Sequence, residues 1–409
     1  MKFGQKAAAW LVLGAAIFSA CGDGATTTTS APLITSAPPA STTTTLQVAE
    51  AKALVETQFA ELIGTAEKVR GLTFSQTPTL VFVNDDEMHT RVIPGTLRVE
   101  LLDGMGFGNV GPTGHIVQYQ VDRNRIAILT PRTELTPFAR AELIGELVFA
   151  LTYEHFPAVG ELSDEEHIGL LGLRLGDAAF HRDAYVDEYL TSTERFALQL
   201  ESVRQHEKEL ILPGFVRTFE QIGDEVAQVL VKDLIARGGV AGLNEAYERP
   251  PSTAEQLFHP ESYRLNTKPV VVSLPETVGS GMLAGESGTM GELWIRSFFN
   301  DSLAEGEMLQ ATTGWAGDTY TVWTRREGLA LSTLFVMDSK QDAVELRDGL
   351  SHWALNAFAL AAGRSDHKGV VFEGDGYVYV AQVDDEVLFV ASPDRTLGEK
   401  VREQFWPRY

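Results

Sequence analysis

Apolar residues recur with helical spacing in several parts of the chain. They return every three or four positions over 47–70, where Gly71 is placed to end the helix. The segment 137–155 is apolar on nearly all sides, and Thr136 followed by Pro137 is typical of a helix start. Because a helix with so few polar positions belongs in the middle of a domain, this pattern predicts a central helix over 137–155.

The same patterns predict further helices and two groups of strands. A strand over 79–83 and a hairpin that turns at Arg123-Asn124 precede the central helix. Beyond Trp315 the spacing changes to that of strands, with one helix over 342–361 among them. The other helices are predicted over 163–189, 193–210 and 220–237, and the later strands over 320–323, 329–336, 369–372, 377–382 and 387–390.

These elements predict an α+β protein in two parts. We expect a mainly helical body with a small sheet over 47–315, followed by a C-terminal α/β lobe over 316–409. The 409 residues are enough for two or three packed lobes.

The N-terminal segment has the pattern of an export signal. Lys2 and Lys6 precede an apolar run that is too short to span a bilayer, so residues 1–20 are expected to be a signal peptide. The residues just before Cys21 resemble a bacterial lipobox, with phenylalanine where an aliphatic residue is usual. The resemblance implies that Cys21 is acylated and becomes the mature N-terminus. Cys21 is also the one cysteine of the sequence, so it has no partner for an internal disulfide.

The residues that follow predict an anchored location. Residues 21–46 are rich in Thr, Ser and Pro, and such a stretch stays an extended tether because it cannot bury a core. We therefore expect a lipid anchor at Cys21 on the extracytoplasmic face of the cell membrane. The net charge of −23 makes nucleic acid an improbable partner, because such a surface repels polyanions.

The central helix carries the pattern that bears on chemistry. Residues 144–156 read IGELVFALTYEHF. They resemble the zinc-binding helix of a bacterial secreted, zincin-like family, in which the run is His-Glu-Leu-x-His-Ala-Leu-x-x-x-His-Phe. Gly145 stands at the first zinc histidine of that run, and Phe149 stands at the second. The positions that match are Glu146, Leu147, Ala150, Leu151, His155 and Phe156.

Three later segments extend the resemblance, which covers roughly Leu80 to the end of the chain. The family's Glu-Gly-x-Ala, whose Glu is expected to complete the metal site, corresponds to a segment that begins with Leu175. The segment 250–260 is similar to the family's Pro-Pro-Ser-Thr and His-Pro segment. The segment 314–318 is similar to its Gly-Trp-x-Gly-Asp segment.

The resemblance implies a zincin-like body whose metal site is degenerate. In zincins the two histidines of the run hold zinc, and the Glu activates the metal-bound water. Gly145, Phe149 and Leu175 offer no side-chain metal donor, so we expect neither a metal nor a cofactor here. Glu146 is then either a leftover general base or, as we prefer, a carboxylate held by a structural hydrogen bond.

Four residues are candidates for contact with a ligand or a partner. They are Glu146, His155, Trp315 and Asp318. For Trp315 the alternative is that its ring packs at a junction between domains, which is the commoner role of such a residue.

The leading hypothesis is a membrane-anchored lipoprotein with a catalytically degenerate zinc-peptidase-like domain. Such a protein would not be an enzyme, and it would act by binding or scaffolding toward a protein or small molecule that the sequence does not name. Two alternatives remain open: an active hydrolase with a non-standard metal or serine site, and a solute-binding lipoprotein.

Overall fold

The structure is a computed structural model. It describes residues 42–84, 87–88, 115–129, 134–209, 212, 214–274, 282–325, 328–357, 363–366, 368–374, 376–405 and 408–409. The predicted signal peptide, Cys21 and the predicted tether up to residue 41 lie outside the described residues. From Gln47 to Tyr409 the chain forms one compact unit.

The structure describes twelve α-helices, most of which precede the large sheet. They are α1 (Thr42–Arg70), α2 (Pro137–His155), α3 (Asp164–Tyr189), α4 (Ser192–Glu209), α5 (Gly214–Glu220), α6 (Gln228–Glu248), α7 (Glu255–Phe258), α8 (Pro260–Leu265), α9 (Gly291–Phe299), α10 (Glu305–Thr312), α11 (Lys340–Ala357) and α12 (Arg395–Glu403). A π-helical turn, Ile222–Ala227, joins α5 to α6.

The strands form two separate sheets. They are β1 (Thr79–Val83), β2 (Val117–Gln120), β3 (Arg125–Leu129), β4 (Leu283–Gly288), β5 (Trp315–Arg325), β6 (Gly328–Met337), β7 (Arg364–Asp366), β8 (Gly369–Glu373), β9 (Tyr377–Val383) and β10 (Glu386–Ser392). The small sheet has the order β1-β3-β2, and the large sheet has the order β4-β5-β6-β10-β9-β8-β7. Helices and largely antiparallel sheets in one chain confirm the predicted α+β class.

The small sheet lies against the central helix. β2 and β3 form the predicted hairpin, which turns through Asn124 in the left-handed conformation with φ of 43°. β1 joins the other side of β3 in parallel. β2 contacts α2, so the hairpin brings its residues to the middle of that helix.

The large sheet is antiparallel and is covered on both faces. Along β10, Val387 and Phe389 belong to the main hydrophobic cluster with the residues of α11, whereas Leu388 and Val390 pack with the residues of α12. This alternation follows from the two-residue period of a strand. Both faces are therefore apolar, and the strands read as nearly continuous hydrophobic runs.

The structure differs from several predicted bounds. The position 315/316, expected to separate two domains, falls inside β5, and β4 joins the same sheet from Leu283 onward. The helix end expected at Arg237 is confirmed by a break at Gly239, whose φ of 60° and ψ of −158° are not helical, and a second helical segment within the range of α6 then continues to Glu248. α1 begins at Thr42, so the end of the predicted tether is helical.

Helix α3 is the partner of the central helix and holds the segment 250–260. α2 and α3 form the most extensive helix pair of the described residues. Ser163 and Glu166 form the capping box predicted at the start of α3. A Cβ on Gly169 would lie 2.1 Å from the carbonyl oxygen of Pro251, so this close approach requires glycine.

Candidate functional site

Local sequence positions the central helix. Thr136 Oγ1 accepts a hydrogen bond of 3.2 Å from the N–H of Ala139, and Pro137 occupies the first turn, where no N–H is needed. From Leu143 to Thr152 every residue of α2 is buried. The positions at issue in the zincin-like resemblance therefore lie in the interior of the protein.

Glu146 is bound to the hairpin. Its side chain is 7% exposed, and its Oε2 accepts a hydrogen bond of 2.7 Å from the backbone N–H of Tyr119 in β2. A hydrogen bond between an ionised carboxylate and an N–H is stronger than one between neutral groups. Glu146 thereby fixes the edge of the small sheet to the middle of α2.

Phe149 fills the next turn of the same helix with an aromatic cluster. The ring is almost fully buried, and its centroid lies 5.0 Å from that of Tyr153 and 6.4 Å from that of Tyr119. Both ring pairs have edge-to-face geometry, which favours contact between the edge of one ring and the face of another. Three aromatic rings therefore pack together along the side of α2 that carries Phe149 and Tyr153.

Gly145 faces an arginine. A Cβ at this position would lie 3.7 Å from Cβ and 3.8 Å from Cδ of Arg182, which projects from α3. The guanidinium of Arg182 is bound by three carboxylates: its Nη2 lies 2.7 Å from Asp224 Oδ1 and 3.0 Å from Asp183 Oδ1, and its Nη1 lies 3.5 Å from Glu142 Oε1. A cationic side chain thus lies next to the position at which the resemblance puts the first zinc histidine.

Leu175 packs against the π-helical turn. It is half-buried on α3, and a Cβ on Gly223 would lie 2.9 Å from its Cβ. Glycine at position 223 therefore allows the turn to lie directly on Leu175.

The donor set does not fit zinc. Zinc in proteins is bound by thiolate, imidazole and carboxylate groups, and Gly145, Phe149 and Leu175 carry none of them. Glu146 alone keeps a donor type, and one of its oxygens accepts from a backbone N–H. Across the described residues, no three side chains of His, Cys, Asp or Glu are grouped so that they could hold a metal ion.

His155 lies at the end of α2 and binds the loop that follows α1. Its Nε2 lies 2.9 Å from the carbonyl oxygen of Thr73. The neighbouring Glu154 accepts from the backbone N–H groups of Ser75 and Gln76. This end of the helix therefore anchors the chain between α1 and β1.

Trp315 and Asp318 both act at the start of α9. The carboxylate of Asp318 accepts hydrogen bonds from the N–H groups of Met290 (2.7 Å) and Gly291 (2.8 Å) and from Trp315 Nε1 (2.8 Å). Burial raises the pKa of Asp318 to about 6, although these three donors oppose the shift. The ring of Trp315 is almost fully buried, so it packs inside the protein.

Glu165 connects the segments that carry the rest of the resemblance. It lies on α3, and its Oε2 accepts a hydrogen bond of 2.9 Å from the N–H of Ala254. Burial raises its pKa to about 8. On its other side Gly291, with φ of 77°, leaves room for the carboxyl group, since a Cβ there would lie 2.2 Å from Oε1. The segments 250–260 and 314–318 thus meet at one buried junction beside the start of α3.

The sequence analysis missed a triad of His259, Glu292 and Arg296. Glu292 is fully buried; its Oε2 lies 3.1 Å from His259 Nε2, and its Oε1 accepts from Nε of Arg296 at 3.0 Å. The hydrogen bond to Glu292 raises the pKa of His259. The i, i+4 spacing of Glu292 and Arg296 was visible in the sequence, but nothing local linked either residue to His259.

No helix among the described residues combines the length and the apolar character needed to cross a membrane. The described part of the chain therefore contributes no membrane-spanning helix.

One comparison with known families gives a match. Residues 278–402 match a family model described as a domain of unknown function (DUF8575). The matched range begins just before β4 and ends within α12, so the similarity covers the large sheet and its two covering helices. No curated protein and no solved structure matches the chain.

Proposed function

We propose that this chain is a membrane-anchored lipoprotein on the extracytoplasmic face, with a zinc-peptidase-like body that acts by binding and not by catalysis. The observation that carries the proposal is the hydrogen bond between the N–H of Tyr119 and Glu146 Oε2. In an active zincin the glutamate after the first histidine faces a metal-bound water. Here the equivalent carboxylate is engaged by the backbone of β2.

The surroundings of Glu146 support the same proposal. Catalysis by such a glutamate requires a water molecule held and activated beside it. Phe149 and its two aromatic neighbours occupy that side of the helix. Arg182, with its three carboxylates, provides a permanent positive charge beside Gly145. A charged cluster of this kind stabilises the pairing of α2 with α3 and needs no metal.

The anchor is the second part of the proposal. The apolar segment before Cys21 has the length of a signal peptide, and a Thr-, Ser- and Pro-rich stretch follows. An acyl chain on Cys21 would hold the acidic body close to the membrane without a spanning helix. The partner would then be a protein or a small molecule outside the cytoplasm.

Metal content and proteolytic activity test the catalytic part of the proposal. The full chain, extracted from membranes in a non-ionic detergent without a metal-binding tag, should contain far less than one zinc per chain and should not cleave casein. Stoichiometric zinc together with casein cleavage that a chelator abolishes would overturn the proposal. Cleavage that resists chelators but is blocked by a serine-directed reagent would overturn it in favour of a serine hydrolase.

A further inference from the structure

His259 and Arg296 of the triad lie in the wall of a cavity. The cavity encloses about 850 Å³ and is bounded by α5, the π-helical turn, the first turn of α6, α9 and α10. This volume lies within the range of about 300–1,000 Å³ that is typical of small-molecule sites. The cavity is separate from Glu146 and Phe149, which do not line it.

Two nitrogen-bearing side chains, His259 and Arg296, flank one buried carboxylate at the floor of the cavity. Glu292 is the carboxylate between His259 and Arg296, and its oxygens accept from both. Arg296 is 11% exposed, and its guanidinium lies 3.7 Å from the ring centroid of Phe258. The stacking and the two bonds to Glu292 fix the orientation of its planar group.

His259 and Arg296 each have one nitrogen for which the described residues provide no hydrogen-bond partner. In the described part of the chain, His259 bonds through Nε2, and Arg296 bonds through Nε and Nη2. The described residues place no hydrogen-bond partner at His259 Nδ1 or at Arg296 Nη1. Both residues line the cavity, and two donor groups there can bind the two oxygens of one carboxylate.

The walls above this floor are apolar, and the mouth is polar. The apolar lining residues are Val226, Val229, Phe258, Leu303, Met308 and Leu309. Glu225 and Glu305 also line the cavity, but both are exposed to solvent. Water screens charges at the mouth more strongly than charges on the buried floor, so the floor dominates the choice of ligand charge.

We propose that this cavity binds a small amphipathic carboxylate, with its head against the cavity-lining groups of His259 and Arg296 and its hydrocarbon chain along the apolar walls. The proposal extends the proposed binding function by giving it a site and a ligand class. It does not depend on the state of the zinc-like site, because Gly145, Glu146, Phe149 and Leu175 do not line the cavity.

Titration calorimetry with octanoate tests the proposal on the full chain in a non-ionic detergent, with the same detergent in both solutions. Octanoate should bind with a stoichiometry of one per chain. Octylamine and octanol carry the same hydrocarbon chain with a different head, and both should bind at least tenfold more weakly. Because octanol enters detergent micelles more readily than octanoate, binding in the order octanol above octanoate would reveal micelle uptake and overturn the proposal.

Two variants locate the site. His259→Gln keeps an N–H donor for Glu292 and removes the imidazole nitrogen at the floor, and it should weaken octanoate binding at least tenfold. Val229→Asp places a negative charge on the apolar wall at a position that is 45% exposed, so it should fold and should weaken binding similarly. If His259→Gln does not fold, Val229→Asp decides the question alone.

His352→Gln is the matched control. His352 is bonded to a glutamate, Glu307, at 2.7 Å, but it does not line the cavity. Octanoate affinity should be unchanged in this variant. Equal affinities in the parent, His259→Gln and Val229→Asp would overturn the carboxylate site. Zinc content and casein cleavage, measured on the same preparation, report on the proposed function separately.

Discussion

The backbone N–H of Tyr119 and the carboxylate of Glu146 form a buried hydrogen bond of 2.7 Å between the small sheet and the central helix. Tyr119 lies in β2 opposite Ile126 of β3. The bond therefore fixes the position of the hairpin relative to α2. A glutamate that has this role is part of the framework of the fold.

Replacing Glu146 should reveal this framework role. Glu146→Ala leaves the N–H of Tyr119 without its acceptor, and an unsatisfied buried donor costs about 1–3 kcal/mol. Glu146→Gln keeps a carbonyl acceptor and should remain within about 1 kcal/mol of the parent. Urea unfolding measures the free energy of unfolding for each variant. Glu56→Ala, at an exposed position of α1, is the control and should change little. Equal stability of Glu146→Ala and the parent would contradict the framework role.

The pH dependence of stability should report on Glu165. The folded state raises the pKa of this carboxyl group from 4.5 to about 8, so the folded protein holds a proton that the unfolded chain releases. Its contribution is fully present below about pH 4.5 and is lost as the pH rises toward 8. The slope reaches about 1.4 kcal/mol per pH unit where only the folded state is protonated. Stability should therefore fall between pH 6 and pH 8, and Asp318, with a pKa of about 6, should contribute in the lower part of this range.

A neutral variant isolates this effect. Glu165→Gln keeps an acceptor for the N–H of Ala254 and carries no charge, so its stability should fall less steeply than that of the parent between pH 6 and pH 8. Urea midpoints at several pH values measure the slope. Glu161→Gln, at an exposed position just before α3, should keep the slope of the parent. If the stability of Glu165→Gln falls with pH as steeply as that of the parent, the pH dependence belongs to another group.

Helices with strong local signals were predicted to their ends. α2 begins and ends where the sequence placed it, because Thr136 and Pro137 mark the start and the apolar pattern continues to His155. The hairpin at Asn124 is also confirmed, since asparagine adopts the left-handed conformation readily. Both elements are determined by residues that are neighbours in sequence.

Elements that depend on distant partners were missed. β4 reads LAGESG, which has no alternation and no β-branched residue, and it is a strand because it pairs with β5. The triad of His259, Glu292 and Arg296 joins the segment after α7 to α9, and no spacing rule connects them. The second helical segment of α6, which follows the break at Gly239 and ends at Glu248, was also missed, although its Leu243 is fully buried.

The proposed membrane location depends on Cys21. If Cys21 is acylated, Cys21→Ser removes the attachment point, and the protein should move from the membrane fraction to the medium or the soluble fraction. Fractionation followed by immunoblotting measures the ratio, which should change at least tenfold. Ser30→Ala, in the tether after the cysteine, should leave the protein in membranes. A Cys21→Ser variant that still fractionates with membranes would refute the anchor.

The proposal that the zinc site is degenerate can be tested by introducing histidine and glutamate side chains at the three ligand positions. The triple variant Gly145→His, Phe149→His and Leu175→Glu places two imidazoles at i, i+4 on α2 and a carboxylate on α3. Position 145 has room for a Cβ, since its nearest neighbour would lie 3.7 Å away. Removing the ring of Phe149 costs about 3–5 kcal/mol by analogy with truncation in other cores, and bound zinc should offset part of this loss.

Zinc titration of the triple variant gives the decisive comparison. Its zinc affinity should exceed that of the parent at least a hundredfold, and zinc should raise its melting temperature. The matched control carries alanine at positions 145, 149 and 175, so it has the same loss of packing without new donors. If the triple variant does not fold, Gly145→His with Leu175→Glu keeps Phe149 and should still bind zinc more tightly than the parent. A folded triple variant that binds zinc no better than the alanine control would show that these three positions do not converge on one site, and the zinc-peptidase-like frame would be refuted.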